Sequence, residues 1–184
     1  MPRIVNPKEF ISQDTLTHAR SLLGLVLVRT TGAGREARII TEVEAYDGES
    51  DLACHARRGR TPRTEVMYRA GGVWYVYLCY GVHEMLNLVV GPEDYPAAVL
   101  IRGVSEVIGP GRLTKHLQID RTLNGLIAHP ESGLHLEDAG IEVPRRRIKS
   151  SHRIGVDYAG PVWAKKPWRF QFDATKISLS SMSL

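Results

Sequence analysis

Apolar residues in this chain recur mostly in alternation, the period of a half-buried strand, with two stretches at helical spacing. The first helical stretch is SQDTLTHARSLLG (12–24). Ser12 or Asp14 is placed to cap it, Leu16, Ala19, Leu22 and Leu23 share a face, and Gly24 ends it. LVLVRT (25–30) and EARIITEVEAY (36–46) follow, with a glycine-bearing turn in TGAG, and predict a hairpin. VWYVYLCY (73–80), EMLNLVV (84–90) and AAVLIRG (97–103) predict three more strands in quick succession. Helix returns after GPG in RLTKHLQI (112–119), where Leu113 and Leu117 stand at i, i+4. The tail carries LHLED (134–138), a basic run RRRIKSSHRIGV (145–156) and PWRFQF (167–172) as a closing strand. Hairpins without regular βαβ alternation point to a largely antiparallel α+β domain.

Strand periodicity also orients side chains. If 36–46 is extended, Arg38, Ile40, Glu42, Glu44 and Tyr46 share one face, and Ala37, Ile39, Thr41, Val43 and Ala45 the other. The second face is small or apolar apart from Thr41, so it should meet the core. Glu44 and Tyr46 are then expected to point together toward a surface or cleft. In 73–80, Tyr75, Tyr77 and Cys79 alternate with Trp74, Val76, Leu78 and Tyr80.

Composition narrows the class only a little. A chain of 184 residues, 43% apolar and 24% charged, suits one domain with its own core. A formal charge of +4 leans mildly toward an anionic partner. Cys54 and Cys79 are too few for a disulfide framework or a four-thiolate zinc site, which implies a reduced compartment. MPRIVNPKEF has no signal-peptide h-region, and no apolar run approaches the ~20 residues that span a bilayer. A soluble, intracellular protein is expected.

The chemistry concentrates in TEVEAYDGESDLACHARRGRTPR (41–63). Glu42, Glu44, Asp47, Glu49 and Asp51 crowd its first half, and Arg57, Arg58, Arg60 and Arg63 its second. His55 among the acidic residues offers metal-ligand types without metal-ligand spacing, and solvated loop residues explain them better. No G-x-S-x-G elbow or Walker loop is present, and the two cysteines read as small core residues. The basic clusters say more. RRGRTPRTEVMYR carries five arginines in thirteen residues, and RRRIKSSHR four arginines and a lysine in nine. Either alone is commonly a solvated face; together with exposed tyrosines they favour nucleic acid, through counterion release and base stacking. Glu44 beside Tyr46 is placed to act as a general base toward water, or to pair with a nearby arginine.

EVEAYDGESDLACHARRGRTPR, GGVWYVYLCYGVHEMLNLV, AVLIRG, GPGRL and RIGVDYAG…WAKKPWRF, in that order, resemble the alkyladenine (3-methyladenine) DNA glycosylase family. The resemblance runs from about residue 10 to 172. It implies one α+β domain over 1–184, a curved, mostly antiparallel sheet flanked by helices with a protruding β-hairpin. By position, it makes Glu44 the water-activating carboxylate, Arg102 the water-holding arginine, and the main-chain carbonyl of Ile154 a further water ligand. It assigns Tyr46 and Tyr77 as stacking rings of a base pocket, His55 as its hydrogen-bonding wall, and Asn87 as the guard against guanine's 2-amino group. Tyr80 becomes the wedge that enters the duplex, and Tyr75 a lesser candidate at the pocket edge. Arg57, Arg58, Arg60, Arg63 and Arg153 are candidates to grip phosphates. Val82 and Met85 stand at hairpin or pocket positions that vary in size, and the 55–72 stretch departs from the mammalian form.

The implied function is a monofunctional glycosylase. It flips alkylated or deaminated purines from double-stranded DNA and hydrolyses the glycosidic bond, leaving an abasic site. No cofactor, metal or membrane is expected, and the implied enzyme is a monomer of the bacterial cytoplasm, or of the nucleus in a eukaryote. A non-catalytic damaged-DNA-binding domain and, less favoured, a metal-dependent hydrolase are the alternatives. The sequence leaves open the ranking among 3-methyladenine, 7-methylguanine, hypoxanthine and ethenoadenine.

Overall fold

In the computed structural model, which describes residues 1–12 and 14–176, the chain enters through a short strand, β1 (Arg3–Ile4), and a helix, α1 (Thr15–Ser21). Asp14, not Ser12, is the cap: its side chain accepts the Thr17 N–H at 3.0 Å. Gly24, at φ +91°, ends this segment where a Cβ would stand 2.8 Å from the Ile141 carbonyl oxygen.

β2 (Val26–Thr31) and β3 (Gly34–Asp47) form the expected hairpin, in register from Val26↔Ile39 to Thr31↔Gly34. β4 (Trp74–Cys79), β5 (His83–Val89) and β6 (Ala97–Val104) follow as the three predicted strands. A short β7 (Val107–Ile108) leads into α2 (Pro110–His116), and β8 (Leu134–Asp138) comes next. The basic run contributes β9 (Lys149–Ser151), and after α3 (Gly160–Trp163) the chain returns as β10 (Arg169–Gln171). Every pairing among these strands is antiparallel. The main path runs β1-β8-β2-β3-β6-β5-β4, with β10 against β3, β9 outside β10, and β7 on β6. The result is the α+β domain that the sequence implies, a ten-stranded open sheet with three short α-helices among the described residues.

β3 organises the molecule. Its first half pairs with β2; its second half lies between β6 and β10. The change occurs at a register irregularity between Ile40 and Val43. An extra residue in one strand re-aims the side chains that follow. The simple alternation over 36–46 therefore breaks: Ile40, expected on the outer face, is buried in the main core with Ile39. Beyond the irregularity, Val43 and Ala45 enter that core as expected. Tyr46 faces two smaller apolar clusters, one of Cys54, Ala56, Met67, Val73, Tyr75, Val89 and Ala98, the other of Ala53, Val156 and Ala159. Both faces of this half-strand are covered.

The β4–β5 hairpin closes with Val82 N–H donating to Cys79 O at 3.2 Å. Its two central residues, Tyr80 and Gly81, have φ of 50° and 72°, the signs of a type I′ turn. A non-glycine residue in that region costs conformational energy, and Tyr80 is also 92% exposed. An exposed aromatic in a strained turn offers the fold nothing. Behind the hairpin, Trp74 is fully buried and its indole N–H donates to Leu134 O at 2.9 Å, tying β4 to β8.

Gly71 precedes β4 where a Cβ would come within 2.3 Å of the Phe10 carbonyl oxygen, and its N–H donates to Gly91 O at 2.8 Å. Gly71→Ala should therefore lower unfolding free energy in urea by about 2–4 kcal/mol; a loss under ~0.5 kcal/mol would show that the backbone contact yields easily.

Candidate active site

Glu44 sits opposite Leu100 of β6 on one side and Arg169 of β10 on the other, and none of its surface is exposed. Its Oε2 accepts the Tyr46 hydroxyl at 2.8 Å, and its Oε1 accepts the Ile154 backbone N–H at 2.8 Å. Arg102 Nε lies 3.5 Å from Oε1 and donates to Glu42 Oε1 at 3.0 Å. Arg169 Nε reaches the same Glu42 oxygen at 2.6 Å. Two carboxylates and two guanidiniums thus form one balanced, nearly dry cluster. Burial pushes the Glu44 pKa up; Arg102, the Ile154 N–H, Tyr46 and Arg169 oppose it. An amide N–H can only donate, so Ile154 favours the ionised carboxylate. Burial, and next Glu44 itself, hold the Tyr46 phenol well above its ordinary pKa, so it remains a neutral donor.

The resemblance makes the Ile154 carbonyl a water ligand; its N–H donates to Glu44 and orients the carboxylate.

Tyr46, Arg102 and Ile154 also line a cavity of about 550 Å³, so Glu44 lies one side chain behind its wall. The rest of the lining gathers His55, Tyr75, Tyr77 and Asn87, with Met85 beside them and Tyr80 at the hairpin end. The His55 ring meets Tyr77 edge-on at 4.6 Å between centroids, and Tyr75 and Tyr77 lie 5.3 Å apart. His55 Nδ1 is 3.0 Å from the Tyr75 hydroxyl. Asn87 Nδ2 is held by Tyr75 O at 3.1 Å and Met85 O at 3.3 Å. Burial, with Arg63 and Arg57 adding to it, lowers the His55 pKa to about 4. Near neutral pH one ring nitrogen therefore donates while the other accepts. Every residue that the resemblance assigns to water activation or to the base pocket touches Glu44 or this cavity.

The arginines divide. Arg57, Arg58 and Arg63 line an adjoining cavity of about 380 Å³ with Thr61 and Thr64, and His55, Arg63 and Tyr158 belong to both cavities. Arg60 is instead engaged by Asp94 and, at 3.7 Å, by Glu65, with its guanidinium over Tyr68. Arg153 corrects the sequence reading. Its side chain has no exposed surface and cannot reach a phosphate. It donates to Asp51 at 2.5 and 2.9 Å, to Ala45 O at 2.9 Å and to Trp163 O at 3.2 Å. Its guanidinium stands 4.9 Å from the Tyr46 ring centroid. Asp51 in turn accepts the backbone N–H groups of Asp47 and Ala53. The pair clamps the loop after β3 to the peptide between Glu44 and Tyr46, and holds Ile154 against Glu44. Sequence reasoning missed the partner of Asp51, and missed Arg169 and Tyr158 altogether. Their partners lie about a hundred residues or more away, and no local signal marks them.

Of the remaining carboxylates, Asp47 accepts from the Thr15 and Tyr95 hydroxyls and Glu49 from Tyr68. Among the described residues, no three His, Cys, Asp or Glu side chains are grouped as a metal set, and no helix is long and apolar enough to cross a membrane.

Comparison with known proteins shows the family. Residues 9–108 and 105–176 match the family model for methylpurine-DNA glycosylase. A relative from Anaeromyxobacter sp. (strain Fw109-5) is 44% identical over 90% of this chain and 88% of its own. Others from Psychrobacter cryohalolentis and Methanocella arvoryzae are 42% and 44% identical, covering 92% and 90% of this chain and 91% of each relative. All three carry the provisional name 3-methyladenine DNA glycosylase.

Asp51→Ala would strand the Arg153 cation without exposed surface or counter-ion. It should cost about 3–5 kcal/mol in chemical denaturation. A loss below ~1 kcal/mol would mean that Arg153 finds water or another partner, and that the clamp is dispensable.

Proposed function

Because the chain belongs to the methylpurine-DNA glycosylase family, we propose that it hydrolyses the N-glycosidic bond of damaged purines in duplex DNA, 3-methyladenine among them. The observation that carries this reading is a buried, hydrogen-bonded carboxylate one side chain behind an aromatic cavity. At about 550 Å³ the cavity is within the range that holds small ligands, ample for a single base.

The target base leaves the stack, at a cost of a few kcal/mol, and enters between Tyr46, Tyr77 and His55. Stacking on aromatic faces returns ~1–3 kcal/mol. Tyr80, projecting from the hairpin tip, fills the gap left in the duplex. Arg57 and Arg58, with no carboxylate within ion-pair distance among the described residues, are free to meet phosphates. Bond cleavage builds positive charge on the sugar, which an ionised Glu44 stabilises while it draws a proton from the attacking water. Since Glu44 exposes no surface, water acts on it by displacing or relaying through one of its present partners, Tyr46 or the Arg102–Ile154 side. The products are the free base and an intact abasic strand, with no Schiff-base step.

Four measurements test this. Incubation with a lesion-bearing duplex should release free base without strand cleavage, and EDTA should not change the rate. Glu44→Gln should slow release at least roughly 100-fold while duplex binding persists. In the parent protein release should fall as pH drops through a value above the ordinary carboxylate range, since the Glu44 pKa is raised and only its ionised form serves. Equal rates in Glu44→Gln would remove the carboxylate from the mechanism. Separately, Tyr80→Ser should weaken binding to damaged duplex about five- to a hundredfold; unchanged affinity would contradict the wedge.

A further inference from the structure

We infer that the cavity favours an uncharged damaged base over one carrying a fixed positive charge, and that Arg63 sets this preference. The inference rests on the glycosylase reading above and concerns which bases the same cavity accepts.

An aromatic cage attracts a cation through the negative faces of its rings. Here those faces already hold the protein's own cations. The Arg153 guanidinium lies 4.9 Å from the Tyr46 centroid, Arg63 lies 5.1 Å from Tyr77, and Arg57 lies 4.8 Å from Tyr158. All three rings line the cavity.

Charge balance singles out one of these arginines. Arg153 is neutralised by Asp51 in a two-bond pair. Arg102 and Arg169 are matched by Glu42 and Glu44, so the catalytic carboxylate leaves no net negative charge to draw a cation in. Arg63 has no carboxylate within ion-pair distance among the described residues. Of the uncompensated arginines, it alone lines the base cavity itself; Arg57 and Arg58 line only the adjoining one. A fixed-cation base stacked on Tyr77 would share that ring with a guanidinium. A neutral base would meet no such repulsion and could stack against the guanidinium plane.

His55 registers the same field. After burial, Arg63 and then Arg57 are what disfavour a positive charge on its ring, at the cavity wall. The preference is chemically reasonable, because alkylation to a cationic purine already weakens the glycosidic bond, whereas a neutral lesion needs more from the enzyme.

The test uses two duplexes differing only at the central base, one holding cationic 7-methylguanine and one neutral hypoxanthine. Single-turnover base release is measured at low salt, with spontaneous loss subtracted, for the parent protein, Arg63→Met and Arg63→Lys. Methionine keeps an apolar stem over Tyr77 without charge; lysine keeps the charge. The release ratio of 7-methylguanine to hypoxanthine should rise about three- to tenfold in Arg63→Met and stay near the parent value in Arg63→Lys. An unchanged or lower ratio in Arg63→Met overturns the inference, and an equal slowing on both duplexes marks Arg63 as a phosphate contact only. A parent protein that releases 7-methylguanine alone also overturns it. If the parent releases neither base nor 3-methyladenine, the glycosylase reading itself fails; if it releases both and the ratio does not move, this inference alone fails.

Discussion

The proposed reaction depends on one carboxylate that is shut away from water yet held by groups that favour its ionised form. Removing a charge from water costs several kcal/mol even after relaxation. Each hydrogen bond to a charged group restores about 1.5–3 kcal/mol. Glu44 receives two such bonds and the nearby Arg102 guanidinium, which favour its charged form against the larger effect of burial. Their sources are dispersed: Tyr46 two residues along β3, Arg102 on β6, and Ile154 in the loop after β9. The long β3 strand, the register irregularity near Ile40, and the placement of β10 all serve to bring those sources to one point.

The Arg153–Asp51 pair forms a second layer of the same arrangement. A buried ion pair is weak evidence for stability, because replacing it with apolar residues is often neutral or better. Its value here is geometric. Arg153 grips the carbonyl between Glu44 and Tyr46, lies beneath the Tyr46 ring, and immediately precedes the residue whose N–H meets Glu44. Asp51 fixes the turn that carries the chain from β3 toward His55. Glu44, the Tyr46 ring and the cavity wall are thereby tied together.

Much of this was legible in the sequence, and the failures have physical causes. Alternation found β2 to β6, Asp14 and Gly24 marked the ends of the first helical segment, and the common side of Glu44 and Tyr46 followed from period two. The irregularity near Ile40 was not legible, because an inserted residue leaves no compositional trace. Neither was the division among the arginines. Arg153 belongs to a basic run that reads as surface, yet its counter-ion lies 102 residues away. Arg60 finds Asp94 across 34 residues, while Arg63, three positions on, meets Tyr77 and Tyr75 and has no carboxylate within ion-pair distance among the described residues. A charge run announces cations; only the tertiary structure says which of them are already matched. The aromatic side chains that the resemblance assigns to a base pocket line one cavity, but the cations resting on their faces could not be foreseen.

The most direct measurement of the central claim is the protonation state of Glu44 itself. Infrared difference spectra between the parent protein and Glu44→Gln, with glutamate isotopically labelled, isolate the bands of this one side chain. The proposed mechanism predicts ionised-carboxylate bands near neutral pH despite complete burial, with a protonated-carboxyl band growing on acidification. A protonated-carboxyl band already present near neutral pH would contradict the account, since a neutral Glu44 could neither draw a proton from water nor stabilise charge on the sugar.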